Sequence, residues 1–308
     1  MGGGRFSSDD WGQTKSARST KSTDEIFTRQ AARSVHPDFD PARVKMRESR
    51  DSEDSPNSRP IMIGFDVTGS MGSIPDYFAR EGIGELMEGI YTKRPIADPH
   101  VGFCAIGDAM SSYGDMGDDA PLQVSQFEAD NRVAETIGNI WIEKGGAAQD
   151  TESYDLPWWF LANKVEFDAW DKRGQKGYYF GVGDEPAPMR TYTPKQMRHY
   201  LGGHFEGPVT SEVMLKDAQR RWTIFQIVAE QGSRGHSSTT RDTWVKMLGA
   251  NVLFMDDYRY MPQLIVATIQ VMEGMDQDVA ITGAGKGAKT VERAFKLAAE
   301  RSKMAEWQ

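Results

Sequence analysis

The chain has 308 residues, 39% of them hydrophobic and 26% charged, and a net charge of -9. That length suffices for one large domain or two small ones. The acidic balance argues against non-specific binding to nucleic acid, no apolar run approaches the roughly 20 residues of a membrane span, and the polar N-terminus MGGGRFSSDD lacks the apolar core of a secretory signal. The single cysteine, Cys104, lies in the apolar run VGFCAI and reads as a small core residue. Such usage fits a reducing cytosol, so the expected location is cytoplasmic or virion-associated.

Residues 1–58 are rich in Ser, Thr, Arg, Asp and Gly, with isolated apolar residues such as Phe6, Trp11, Ile26 and Phe27. A stretch of this kind cannot fold by itself and is expected as an extended arm and linker. Within it TDEIFTRQAAR suits a short helix capped by Thr23 or Asp24, and RESRDSEDSPNSRP reads as a charged linker. From residue 59 to 276 short apolar runs alternate with amphipathic stretches. RPIMIGFDV predicts a buried strand, and IPDYFAREGIGELMEGIYTKR a helix with Ile74, Phe78, Ile83, Leu86 and Ile90 at helical spacing. VGFCAIGD and LQVSQFEAD follow as strands, NRVAETIGNIWIEK as a helix, and GGAAQD as a loop. TESYDLPWWFLANKVEFDAWDK reads as one aromatic-rich helix packed on a sheet. GYYFGVGD, TIFQIVAE and NVLFMDD are further buried strands, separated by the helical stretches TPKQMRHYL, SEVMLKDAQRRW and RDTWVKML. MPQLIVATIQVMEGM closes the domain as a helix. Alternation with short connections predicts an α/β fold: a doubly wound, mostly parallel sheet with helices on both faces. Residues 277–308 are expected as a glycine-rich linker and a C-terminal helix, VERAFKLAAERSK. The linker's TGAGKGAKT departs from a phosphate-binding loop at Ala288, and no acidic strand follows it.

Ligands of open parallel sheets sit outside the carboxyl ends of the strands. The predicted strands end in Asp66, Asp108, Asp184, Glu230 and the pair Asp256 and Asp257; the last two read as solvated turn residues. A field of carboxylates at one edge favours a hard cation. In DVTGSMG, Asp66, Thr68 and Ser70 alternate, so a loop leaving the strand can aim three oxygens at one point, with Gly69 and Gly72 allowing a tight turn. Few carboxylates with neutral hydroxyls suit Mg²⁺, with Mn²⁺ or Ca²⁺ as alternatives, whereas zinc would call for His or Cys. The helix-cap reading of Asp66, Ser70 or Thr151 is the simpler competitor.

DVTGSMG resembles the first motif, D-x-[ST]-x-S, of the metal-ion-dependent adhesion site in von Willebrand factor A-type domains. GGAAQDTESYDL lies where that family has a second, threonine-bearing loop, and VGDEPAP where it has an aspartate after a buried strand. The run AIGD before LQVSQFEAD is similar to an intracellular branch of the family, with Gly107 in place of an arginine. The resemblance implies a metal set of Asp66, Thr68 and Ser70, with Thr151 or Asp150 from the second loop and Asp184 nearby or bound through water. It also implies an open coordination position that a partner's acidic residue fills.

The function expected on these grounds is a non-enzymatic, metal-dependent protein-binding module of bacterial or phage type, working within a larger assembly. An ATPase or assembly partner, or self-association through the arm or the C-terminal helix, fits this reading; nucleic acid and membrane do not. A structural subunit of a phage-like particle tethered by its arm is the alternative. A metal-assisted hydrolase is more remote, since Glu185 is the only base in sight of the site.

Overall fold

The computed structural model describes residues 7–29, 34–109, 121–142 and 152–305. In chain order its strands are β1 (Arg47–Ser49), β2 (Ser58–Asp66), β3 (Asp98–Ile106), β4 (Leu122–Val124), β5 (Val165–Phe167), β6 (Gly177–Gly183), β7 (Thr191–Tyr192), β8 (Val209–Thr210), β9 (Trp222–Ala229) and β10 (Val252–Met255). Its helices are α1 (Ser8–Ser19), α2 (Thr23–Ile26), α3 (Ile74–Tyr77), α4 (Ile83–Lys93), α5 (Arg132–Gly138), α6 (Leu156–Asn163) and α7 (Asp168–Arg173). They continue with α8 (Pro194–Leu201), α9 (Ser211–Gln219), α10 (Ser238–Leu248), α11 (Met261–Met272), α12 (Gln277–Gly283) and α13 (Ala288–Ala305). No helix of the described residues is long and apolar enough to cross a membrane.

The chain is α/β, built on a six-stranded central sheet of order β10-β9-β6-β2-β3-β4. All neighbours run parallel except β4, which pairs antiparallel with β3 at the edge. The strands read as continuous apolar runs because both of their faces are buried. Alternate residues divide between two apolar layers. Ile61, Ile63 and Phe65 of β2 join Phe103, Phe180, Ile227 and the helices α4, α11 and α13. Met62 joins Cys104, Tyr179, Ile224 and the helices α6, α8, α9 and α10. Cys104 is buried, as its setting in an apolar run implies.

Three segments differ from their expected form. The described part of the N-terminal arm is folded against the body. The indole of Trp11 lies so close to Gly84 that a Cβ there would meet its Nε1 at 1.7 Å. Arg18 Nη1 donates to the Ala79 carbonyl at 2.7 Å, and Ile26, Phe27 and Phe39 enter the first apolar layer. These few apolar residues are too sparse for a core of their own but complete one that the body supplies. Ser22, rather than Thr23 or Asp24, starts α2: its Oγ accepts from Glu25 N at 3.3 Å while Glu25 Oε2 accepts from Ser22 N at 2.7 Å.

The charged linker contributes β1, which pairs in parallel with β5. That pairing is why the single helix expected over residues 151–172 is broken into α6, β5 and α7: Val165 and Phe167 become the inward side chains of a short strand. The linker's charges are placed rather than free. Arg50 meets Glu48, Glu166, Asp168 and Asp171, and Asp51 meets Arg173 at 2.8 Å. The expected glycine-rich linker after residue 276 is in part helical, because Asp276 Oδ1 accepts from the backbone of Asp278 and Val279 and so caps α12.

Lys164 closes the seam between arm and body. Its Nζ donates to the carbonyls of Pro41, Val44 and Leu201 at 2.6, 2.9 and 2.7 Å. Hydrogen bonds from a charged donor are each worth about 1.5–3 kcal/mol. Replacing Lys164 with Met is expected to lower the unfolding free energy by about 2 kcal/mol in denaturant titration and to speed protease cleavage between residues 34 and 58. The exposed Lys45→Met serves as control; equal cleavage of the two variants would refute the seam's role.

Candidate functional site

The register of the sheet brings two acidic strand ends together. Phe65 of β2 pairs with Val182 of β6, so Asp66 stands beside Gly183 and one residue from Asp184. Both carboxylates are fully buried. After Asp66 the chain turns through the loop predicted by DVTGSMG: residues Gly69–Met71 form one 3-10 turn, and Gly72 has the left-handed φ of 55° that favours glycine. α3 then begins with Pro75 in its first turn.

The side chains of this loop form a continuous hydrogen-bonded chain of oxygens. Asp66 Oδ1 accepts from Thr68 N at 2.9 Å and from Thr68 Oγ1 at 2.6 Å. Thr68 Oγ1 is 3.2 Å from Ser70 Oγ, and Ser70 Oγ donates to Asp184 Oδ1 at 2.7 Å. Four of the five expected metal residues, Asp66, Thr68, Ser70 and Asp184, are therefore in one place. Thr151, and Asp150 as its competitor, lie outside the described residues. Among the described residues no three His, Cys, Asp or Glu side chains form a metal cluster, so a cation here would depend on the hydroxyls as well as on the two carboxylates.

Two supports were not legible in the motif. Tyr154, just before α6, donates its hydroxyl to Asp66 Oδ2 at 2.7 Å. The ring fits because residue 183 is glycine: a Cβ there would come within 2.0 Å of the Tyr154 hydroxyl. The loop after β9 supplies the other support. Arg234 N donates to Asp184 Oδ2 at 3.1 Å, and Ser233 N donates to the Ser70 carbonyl at 3.3 Å. Gly232 is packed on Asp184, where a Cβ would approach its side chain to 2.4 Å.

Both carboxylates thus rest on uncharged donors. Burial pushes the Asp66 carboxyl up to about 7; the nearby Asp184 adds to the rise, and the bonds from Thr68 and Tyr154 oppose it. Burial, then the charges of Asp66, Glu152 and Asp184, hold the Tyr154 phenol well above its ordinary range, so it stays a donor. Two buried carboxylates with hydroxyl neighbours, and no cation among the described residues in their hydrogen-bond set, fit a proton or a hard metal ion. A cleft of about 430 Å³ opens beside the first loop, walled by Val67, Thr68, Gly69, Gly72 and Pro75.

The remaining acidic strand ends do other work. Asp108 is held by Arg190 Nη1 at 2.7 Å, and Arg190 also reaches Ser153 Oγ at 3.1 Å. Glu185, expected as the only base near the site, faces Arg234 at 3.1 Å. Glu230 pairs with Arg241 and Arg293. Asp256 is exposed, while Asp257 caps the turn Tyr258–Tyr260 by accepting from Arg259 N at 3.0 Å. One Ser–His contact was not foreseen: Ser49 Oγ lies 3.1 Å from His100 Nδ1 near the start of β3. Ser49 is completely buried, which denies a substrate access to its hydroxyl.

No protein-family model matches the chain, and no curated protein matches it. Solved structures do show some likeness. Two crystal structures of the pilus adhesin SpaC from Lactobacillus rhamnosus GG match at 12% and 10% identity, over 73% and 77% of this chain and 32% and 31% of that one, with TM-scores of 0.44 and 0.43. Proximal thread matrix protein 1 from the mussel byssus matches at 12% identity over 72% of this chain and 48% of that one, with a TM-score of 0.36. The chain spans about a third of the adhesin's length. Likenesses at this level carry no weight for function.

The raised Asp66 carboxyl makes stability depend on pH with a definite sign. The folded chain keeps this proton to about pH 7, whereas the unfolded chain releases it near pH 4. Between these values the folded state binds more protons, so Asp66 contributes a loss of stability as pH rises from about 4 to about 7. Thermal unfolding without metal, compared between the parent and Asp66→Asn, is expected to show the parent losing ground to the variant across that window. A constant difference would contradict the shift.

Proposed function

We propose that this chain is a non-enzymatic, divalent-metal-dependent protein-binding module with a doubly wound, von Willebrand factor A-type core. The observation that carries the reading is the hydrogen-bonded chain from Asp66 through Thr68 and Ser70 to Asp184, with both carboxylates fully buried on neutral donors. Asp66, Thr68, Ser70 and Asp184 would hold the ion, with Thr151 from the second loop. The all-oxygen set favours Mg²⁺ over zinc. A bound divalent ion would offset the charge of the two carboxylates and keep an open coordination position that an acidic side-chain oxygen of a protein partner could fill. The cleft beside Thr68 and Gly69 gives such a side chain a way in.

The chain's own residues prepare that contact. Tyr154 orients one oxygen of Asp66 and the Thr68 hydroxyl the other. Ser70 and the Arg234 amide fix Asp184. This leaves few side-chain torsions to be frozen when an ion or a partner arrives. The alternative of a particle subunit tethered by a free arm finds less support, since the described arm residues pack on the chain's own body. An assembly partner or an ATPase remains compatible with the module reading.

Isothermal titration of the protein with MgCl₂ tests this function. Saturable heat is expected for the parent, with at least about tenfold weaker binding for Asp66→Ala, a loss of about 1.4 kcal/mol or more. Equal heats for parent and variant would end the metal reading.

A further inference from the structure

We propose that the C-terminal helix α13 sets the geometry of the candidate site through an ion-pair latch at Glu230. The structural half of this link stands on its own; its effect on ion affinity rests on the metal reading above.

Glu230 is the first residue beyond β9. Its backbone N donates to the Met255 carbonyl at 3.0 Å, which ties it to β10. Its side chain is 1% exposed and faces two guanidinium groups from two helices. Arg241 comes from α10, and Arg293 Nη1 of α13 stands 2.6 Å from Oε2. The two guanidiniums face different oxygens, so withdrawing Arg293 leaves the buried Oε2 without the partner that faces it. α13 is the later of the two partner helices in the chain. It follows the turn at Gly285–Gly287, where Gly285 takes a φ of 59°. It holds the body through the buried Val291, Ala294, Phe295 and Ala298. Thr290 adds a hydroxyl bond to Asp256 at 2.8 Å, and Arg301 lies 4.9 Å over the Phe254 ring.

From Glu230 the path to the site is short and without slack. Gly232 N donates back to the Ala229 carbonyl at 3.0 Å, and Gly235 is so close to the same carbonyl that a Cβ would meet it at 2.0 Å. Between those two glycines lie Ser233 and Arg234, whose amides hold Ser70 and Asp184. Thr240 of α10 closes the loop from behind, donating to the Arg234 carbonyl at 3.1 Å. A shift of Glu230 therefore cannot be absorbed within the loop and reaches Asp184 and Ser70. By linkage, an ion that orders Asp184 and Ser70 tightens the docking of α13, and release of α13 weakens the ion's hold to the same degree. Glu230 and Arg293 act here as positioning residues; neither touches the site.

The test uses the full chain. Backbone hydrogen exchange is followed by mass spectrometry in EDTA for the parent, Arg293→Met and Phe295→Ala, with Arg293→Lys as the conservative rescue. Arg293→Met breaks the latch, whereas Phe295→Ala loosens α13 without touching Glu230. Both are expected to speed exchange of residues 231–237 by about tenfold or more while β2 and β6 keep their protection, and Arg293→Lys is expected to recover most of it. In a parallel titration with MgCl₂, both variants are expected to bind about fivefold more weakly than the parent. Faster exchange in α13 with none in residues 231–237 overturns the link, and so does loss of protection spread evenly through β2 and β6. Should Arg293→Met fail to fold, Phe295→Ala and Arg293→Lys give the same decision. A parent that binds no Mg²⁺ sinks the metal reading, while the exchange result still decides the latch.

Discussion

Two carboxylates from adjacent parallel strands meet inside the protein, and much of the surrounding structure follows from keeping them there. Asp66 and Asp184 are both completely buried. Ionised carboxylates removed from water repel each other and lose hydration, a cost that hydrogen bonds reduce but do not cancel. The donors offered are therefore numerous and aimed: two from Thr68, one from Tyr154, one from Ser70 and one from the Arg234 amide. The donors come from three parts of the chain: Thr68 and Ser70 from the first loop, Tyr154 from just before α6, and Arg234 from the loop after β9. Glycine stands where these groups must approach closely, at residue 183 under Tyr154 and at residue 232 against Asp184. Among the described residues, every donor to this pair is uncharged.

The two ends of the chain share a theme. Both are charged, and both would be read as solvated if seen alone. In the fold, their charges find specific partners on the body. Arg50 and Asp51 are drawn into a network with α7, and Arg293 of α13 is drawn to Glu230. Isolated surface pairs contribute little, but several of these pairs are partly buried and joined into networks, and apolar residues such as Trp11, Phe39 and Phe295 accompany them into the core. The described arm residues and the C-terminal helix thus add to one folded body.

Much of this was legible in the sequence wherever the signal was local. The apolar runs at Ile61, Phe103, Phe180 and Ile227 predict strands buried on both faces, and they are strands. Asp66, Thr68 and Ser70 lie two residues apart on a loop after such a run, which is enough to propose a shared point for their oxygens. Asp184 follows the same rule. What failed was non-local. Val165–Phe167 looks helical until β1 of the arm is known to lie beside it. Tyr154 looks like one more aromatic in an aromatic stretch, and nothing near Ser233 or Arg234 in the sequence marks them as holding Ser70 and Asp184. Asp108 and Glu230 obey the strand-end rule as well as Asp66 does, yet they are turned to arginines from distant segments.

The sequence alone determined the α/β alternation, the strand ends rich in acid, and the oxygen-bearing loop DVTGSMG, because each depends on patterns within a few residues. Only the tertiary structure decided which strand ends became neighbours. Parallel pairing of β2 with β6 brought Asp66 near Asp184, and the bond from Ser70 to Asp184 joins residues more than a hundred positions apart in the chain. Burial of that pair, the phenol that supports it and the loop that clamps it all follow from the packing of distant segments, which no local pattern of residues encodes.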